Sequence, residues 1–488
     1  MNVADHLTRH AAERPCAVAA IHRDRLVRYG ELDTLVWRMA AALRTQGLGP
    51  GDRVGVTVRQ PVLHLVAMLA LARLGAVQMG LAASEPVERR RSLAGRLRLA
   101  AVLVDQNDAA QGAPALMLDP AWLKAGAVQV DRSLRNEGGD GLLMIAGSSG
   151  TTGAGKLYAV SHSDELVRAA RDATVFGWRP AERYLNLVDL HFAVGRRRVL
   201  HCLVAGGCVF LPPGEITWSE IAEAIDRHAV THVSCTPVHA TAMLEHLPSE
   251  QPRFPDLRVL RVGAAAVPEA LRAQIRRRLT PNLYINYGSN EGGTIAGADP
   301  ALQRLVPGTV GRPMAGLEVE VVDADGRPLP AGETGQVRLR GPGVIREYLD
   351  DPEATALAFR DGWFHPGDLA CFTAEGALLH HGRADDVMVF DGINIHPGEI
   401  EQVLLEHEAV VEAAAFGLAS QRHQHVPAAA VVLRRPVGME VLIRFCRERL
   451  GVRAPRRLFS VESLPRNATG KILRREIAVR LGGAARAD

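Results

Sequence analysis

The stretch SSGTTGAGK, residues 148–156, follows the apolar run GLLMIAG at 141–147 with nothing between them. A short apolar run ahead of glycine, serine and threonine reads as a buried strand opening into a loop. Small side chains leave backbone N–H groups accessible there, and the hydroxyls add donors, so the loop suits phosphate. The lysine that closes it is informative. Of 57 Lys and Arg residues only Lys124, Lys156 and Lys471 are lysine. A compact ammonium on a long stem reaches a phosphate or carboxylate as a point charge, which a planar guanidinium does less well. A codon bias toward arginine is the plain alternative. It does not account for two of the three survivors standing in polar, glycine-bearing loops.

GTTGAGK (150–156) fits the GxxxxGK part of a Walker A loop. Leu157 stands where that chemistry needs Ser or Thr on magnesium. LYAV then continues as a short strand, and the helical pattern SDELVRAARDA begins only at 163. The Walker reading fails on both counts.

Working outward, YGELDTLVWRMAAALRTQG (29–47) is helical and ends at glycine, DRVGVTV (52–58) is a strand, and AAVLVD (100–105) is another. HLVAMLALARLGAV (64–77) is apolar around most of its surface and reads as a buried helix. The alternation resumes after the loop with GGCVFLP (206–212), EIAEAIDRH (220–228) and LRVLRVGAAA (257–266). Strand and helix alternating in this way predict a parallel sheet covered on both faces. From 317 the texture turns β-rich. A polar junction, ADD, follows Gly382 and Arg383. The last hundred or so residues carry their own strands and helices, so a domain boundary is placed at Arg383–Asp386, giving 1–383 and 384–488.

Composition bounds the rest. The chain has 488 residues, 47% hydrophobic and 23% charged, with a net charge of +3. That suits a globular α/β protein of two or more domains. It argues against nucleic acid as a partner, as does an aromatic content of 5%. The arginine runs at 89–91, 196–198 and 276–278 are read as solvated helix faces. No apolar run reaches the ~20 residues that span a bilayer. The N-terminus has no signal-peptide pattern. The six cysteines lack zinc spacing and read as buried thiols, so a cytoplasmic location is expected.

Taken together, SSGTTGAGK, YGSNE (287–291), GWFHPGD (362–368), GRADD (382–386), GINIHPGEIE (392–401) and PRNATGK (465–471) occur in an order that resembles the adenylate-forming enzymes. These are the acyl- and aryl-CoA synthetases, luciferases and peptide-synthetase adenylation domains. RYGELD and GLGPGDRV near the N-terminus belong to the resemblance, which covers nearly the whole chain. The fold it implies is α/β. A large N-terminal domain has parallel-rich sheets, packed helices and a β-rich subdomain, and a small mobile α+β domain follows. The activity implied is ATP-dependent conversion of a carboxylic acid to an acyl-adenylate, then transfer to a thiol.

By that resemblance Ser148, Ser149, Gly150, Thr151, Thr152, Gly153 and Lys156 cover the β- and γ-phosphates. Gly155 replaces a proline usual before the lysine. Asn286, Tyr287, Gly288, Ser289 and Asn290 form the adenine-side segment, with Tyr287 stacking on the base. Glu291 is the magnesium ligand, a hard oxygen donor suited to that ion. Asn290 replaces the usual threonine. Gly263, Ala264 and Ala265 run along the adenine edge, Asp368 holds the ribose hydroxyls, and Arg383 is a second ribose contact. Asp385 matches the hinge. Lys471 bridges the acid carboxylate and the α-phosphate during adenylation. His191 matches a gate beside the acyl carboxylate, and Glu291, His191 and Lys471 are the catalytic candidates.

The acceptor stays open between coenzyme A and the phosphopantetheine of an acyl carrier protein. His423, Gln424 and His425 stand where small or acidic residues are usual. A degenerate nucleotide-binding protein is a third reading. Asp189, near the point where amino-acid-activating members carry an aspartate, sits in a pattern closer to acyl and aryl ligases. Arg196, Arg197 and Arg198 are either an exposed basic face or the source of one inward guanidinium that reads a second carboxylate or other polar group of the acid.

Overall fold

In this computed structural model the described residues are 1–106, 112–126, 140–147, 155–214, 216–247, 249–420, 423–466 and 472–484. They form four sheets. In the first, strands Ala115–Met117, Ala101–Val104, Arg53–Thr57, Val77–Gly80 and Leu142–Gly147 lie side by side and parallel. Leu157–Ser161 closes the edge antiparallel to Leu142–Gly147, with Gly147 opposite Leu157. The 141–161 segment is therefore strand, connection, strand, which a Walker loop is not.

The second sheet has nine strands. Its centre runs Leu283–Ser289, Val259–Val262, His232–Cys235, Arg183–Asn186, Cys208–Phe210 and Val18–His22, all parallel. Gly293–Ala298 and Arg25–Arg28 add antiparallel strands at either side. A third sheet, wholly antiparallel, is built from segments between Glu318 and Arg383, as the change of texture after 317 predicted. The fourth uses Met388–Phe390, Ile393–Ile395, Val410–Ser420, Gln424–Leu433 and Arg457–Ser460, with its own apolar core around Ile400, Ala415 and Leu442.

Four helices matter for the site. Helix α1 (Pro61–Leu74) starts with proline at its first turn and stops at Gly75, whose φ of +73° is left-handed. It is buried on nearly every face because it packs inside the N-terminal layers, as its unbroken apolar sequence required. Helix α2 (His162–Phe176) is capped by Ser161, which accepts from the Asp164 amide. Helix α3 (Ala193–Val204) packs against α2. Helix α4 (Arg474–Ala484) ends the described chain.

Two sequence expectations are corrected. The run 196–198 is not a solvated face: Arg196, Arg197 and Arg198 are 1%, 5% and 7% exposed. Carboxylates on the facing helix explain this for two of them. Glu165 pairs with Arg197 at 3.3 Å and Asp172 with Arg198, while His201 bridges both carboxylates. Arg90 is buried too, although Arg89 and Arg91 face solvent. Of the cysteines five are buried, but Cys16 is exposed.

Candidate active site

The end of strand Leu283–Ser289 carries three of the residues singled out from YGSNE. Tyr287 is buried, and its hydroxyl donates to Oδ2 of Asp368 at 2.6 Å. Asp368 begins a strand of the third sheet directly opposite Arg383, so register alone brings those two together. Arg383 Nη1 lies 3.6 Å from Asp368 Oδ1, and His380 Nε2 3.8 Å from the same oxygen. Burial opposes ionisation of Asp368. The nearby His380 imidazole, then the Tyr287 hydrogen bond and the Arg383 charge, outweigh it and hold the carboxyl below its ordinary range. Tyr287 is pushed the other way, by burial first and by the Asp368 charge second.

Glu291 follows in the turn to the next strand and is 7% exposed. Its Oε1 accepts from the Tyr348 hydroxyl at 2.9 Å, and the Lys156 ammonium lies 4.9 Å from the centre of the Tyr348 ring. The Glu291 backbone carbonyl accepts from buried Arg168 at 2.6 Å. One aromatic ring thus joins the lysine of the phosphate loop to the candidate magnesium ligand. A buried carboxylate already oriented by a neutral donor is a fitting seat for that ion. Asn290 Nδ2 donates to the Gly147 carbonyl at 3.3 Å, tying the YGSNE segment to the end of strand Leu142–Gly147. Gly288 and Ser289 lie at a bulge opposite Gly293 and Thr294.

The 263–265 turn is set by steric necessity. A Cβ on Gly263 would stand 2.4 Å from Oδ1 of Asn286. That oxygen accepts from Arg261 Nε at 2.9 Å, which fixes it in place. Ala264 has φ of +70°, a left-handed conformation that costs a residue with a Cβ about 1 kcal/mol or more. The strand end is thus held against a preference of its own sequence.

His191 lies just before α3. Its Nδ1 and backbone amide both meet Asp189 Oδ1, at 2.6 and 2.8 Å. Its ring packs edge-on against His64 of α1, 4.6 Å between centroids. Arg383 Nε donates to the candidate hinge Asp385 at 3.2 Å, and Arg475 of α4 reaches the other Asp385 oxygen at 3.5 Å. Ser148, Ser149, Gly150, Thr151, Thr152, Gly153 and Lys471 lie outside the described residues.

Sequence reasoning missed Tyr348, His380 and Arg168. Tyr348 had a usable signal, being one of only six tyrosines and standing just before the turn LDDP. Arg168 had none, since a lone arginine in an amphipathic helix reads as solvated.

Comparison with known proteins agrees with this geometry. A model described as AMP-binding enzyme matches residues 7–349, and one described as AMP-binding enzyme C-terminal domain matches 399–471. The 2-succinylbenzoate–CoA ligase of Bacillus subtilis (strain 168) is 26% identical over 479 residues, covering 96% of each chain. A solved structure of the o-succinylbenzoate CoA synthetase of Bacillus subtilis with its acyl-adenylate superposes with a TM-score of 0.88 at 25% identity, over 97% of both chains. The same enzyme is known in complex with ATP and a magnesium ion. The amide bond synthetase McbA of Marinactinospora thermotolerans gives a TM-score of 0.89 at 26% identity, over 98% of this chain and 99% of that one.

Proposed function

The chain belongs to the AMP-binding enzyme family, within the adenylate-forming enzymes, and from that premise we propose that it joins a small carboxylic acid to the thiol of coenzyme A. The family membership makes it an AMP-forming enzyme with the ATP-dependent adenylation chemistry typical of acyl-CoA ligases. Among the described residues no helix is long and apolar enough to cross a membrane.

In the first half-reaction a carboxylate oxygen attacks the α-phosphorus of ATP and the bond to the β-phosphate breaks, releasing pyrophosphate. In the second, sulfur attacks the acyl carbon, the bond to the phosphate breaks, AMP leaves, and the thiol proton passes to solvent. The first step drives an anion against a polyanion, so oriented donors and positive charge dominate the catalysis. Asp368 accepts the ribose hydroxyls with Arg383 beside it. Tyr287 and the 263–265 turn flank adenine. Glu291 would hold magnesium, which would supply positive charge against the phosphates. Lys156 reaches the outer phosphates, and Lys471 the acid and α-phosphate together. Residues 384–488 move as the small domain about Asp385.

The observation that carries this reading is the paired arrangement Tyr287–Asp368 and Tyr348–Glu291. It brings two buried carboxylates, Asp368 at the start of a third-sheet strand and Glu291 in the turn after Leu283–Ser289, each with a neutral hydroxyl donor, to the end of that strand. The test is acid-dependent pyrophosphate–ATP exchange across an aliphatic, aryl and dicarboxylic panel, followed by product formation with coenzyme A. Exchange and a CoA thioester are expected. No exchange with any acid overturns the reading in favour of a degenerate nucleotide binder.

A carrier-protein phosphopantetheine is the second acceptor. It is favoured by the turn at 391–392. His423 Nδ1 pairs with Asp391 at 2.6 Å, and Val389 N donates to His425 Nδ1 at 3.2 Å. These histidines fill a position where the family usually has small or acidic residues. Thioester on holo-carrier protein and none on coenzyme A would select it.

A further inference from the structure

Within the run 196–198, two guanidiniums have carboxylate partners and one does not. Arg197 and Arg198 belong to the network of Glu165, Asp172 and His201. Arg196 is 1% exposed, and neither its Nε nor its Nη1 has an acceptor. No carboxylate among the described residues pairs with it directly; Glu165, which pairs with Arg197, acts on it only through space. A Cβ built on Gly80 would stand 2.1 Å from the His191 carbonyl oxygen and 3.0 Å from Arg196 Nη1, so both groups pack on the same backbone atom. His64 and His191, ring against ring, each bury an Nε2 with no partner. Arg196 also lies in the first turns of α3, where the helix end adds positive potential.

A buried guanidinium whose nitrogens lack acceptors is destabilising, and an anionic ligand paired with it would offset that cost. Burial, the largest influence, has pulled Arg196 down to about 10, and Arg197 pulls the same way. Even there it carries its charge at neutral pH. Gly80 lets the His191 carbonyl and Arg196 approach the strand closely, since any side chain there would collide with His191.

We propose that Arg196, buried beside His191 and His64 with unpartnered nitrogens on all three, binds a second carboxylate of the acid substrate, making the preferred substrate a dicarboxylic acid. This rests on the acid-activation reading above and names the substrate class of that same site. Arg196 is a specificity-determining residue here, not a catalytic one. The bidentate fork of a guanidinium matches a carboxylate, and a site built for that pairing rejects a ligand that lacks it.

The experiment measures pyrophosphate release with a ladder of α,ω-dicarboxylic acids and the monomethyl ester of each. Wild-type protein should favour a diacid over its half-ester by about 100-fold in kcat/KM at its best chain length. Arg196→Met should bring that ratio to within about 3-fold, and Arg196→Lys should lie between, since an ammonium keeps charge without the fork. A wild-type ratio near or below one along the whole ladder overturns the inference, as does a folded Arg196→Met that keeps the wild-type ratio. If Arg196→Met does not fold, the wild-type ratio and Arg196→Lys decide. Turnover of monoacids alone sinks only this inference. Turnover of no acid sinks the acid-activation reading and this with it.

Discussion

The Tyr348 hydroxyl donates to Oε1 of Glu291 at 2.9 Å while the Lys156 ammonium lies over the same ring. Burial, then the charge and hydrogen bond of Glu291, push the Tyr348 phenol upward, so it stays a neutral donor throughout the working range. Groups that orient a metal-binding carboxylate typically account for 10- to 100-fold in metal affinity. Tyr348→Phe keeps the ring under Lys156 and removes only the hydroxyl. The half-saturating magnesium concentration for pyrophosphate release should rise about 10-fold or more, with kcat recovering at high magnesium. An unchanged magnesium titration would detach Tyr348 from the metal site.

Asp368 is held ionised by His380, Tyr287 and Arg383 against its own burial. Its two oxygens can accept from both ribose hydroxyls only in that form. Wild-type protein should therefore discriminate ATP from 2′-deoxy- and 3′-deoxy-ATP, and Asp368→Asn should erase most of that discrimination, by roughly 100-fold. Tyr287→Phe leaves the carboxylate charged and should cost less, about 10-fold in kcat/KM for ATP. Competition kinetics with the three nucleotides reads both. A variant Asp368→Asn that still rejects the deoxynucleotides would move the ribose contact elsewhere.

Elements whose neighbours are local were legible in the sequence, and those whose neighbours are distant were not. Helix α1 is apolar all round, so burial follows from its composition alone. The strand pair 142–147 and 157–161 follows from an apolar run that breaks at glycine, serine and threonine and resumes as a short strand. The three arginines of α3 defeat that logic. Charge predicts exposure, and what buries them is Glu165 and Asp172, about thirty residues upstream on α2. Those carboxylates are two helical turns apart and meet His201 and the arginines only when α2 and α3 face each other. Within the site, the positions of Tyr287, Glu291 and Asp368 were legible from motifs. His380 was not, because sheet register rather than chain spacing delivers it, and Tyr348 reaches Glu291 from a segment outside any strand, 57 residues further along the chain.

That buried network makes stability depend on acid. Burial alone would raise Glu165, but Arg197, His201 and Arg168 outweigh it and lower it from 4.5 to about 2. The folded state thus holds its proton less tightly than the unfolded chain. The stabilisation is complete above about pH 5 and is lost as pH falls through 4.5 toward 2. Glu165→Gln should cost roughly 3–5 kcal/mol at neutral pH, because Arg197 and Arg168 are left buried without that charge. It should also flatten the stability curve between pH 5 and 3. Denaturant unfolding at several pH values tests this. A parallel fall of both proteins with acid would show that other carboxylates govern the transition.

The half-reactions separate the two lysines. On the proposed reading Lys156 meets the outer phosphates, which leave as pyrophosphate and play no part in thioester formation. On the same reading Lys471 meets the acid and the α-phosphate, and it is drawn off when the small domain turns about Asp385 to admit the thiol. Lys471→Ala should therefore slow adenylate formation by about 100- to 1,000-fold, the cost of one well-placed donor at a developing charge. Thioester formation from supplied acyl-adenylate should stay within a few-fold of wild type. Lys156→Ala should show the same split but with its loss concentrated in the KM for ATP, since the outer phosphates are bound before the transition state as well as in it. Single-turnover assays of each half-reaction measure all four quantities. Equal losses in both halves for Lys471→Ala would remove it from the α-phosphate and assign it to the small domain's folding instead.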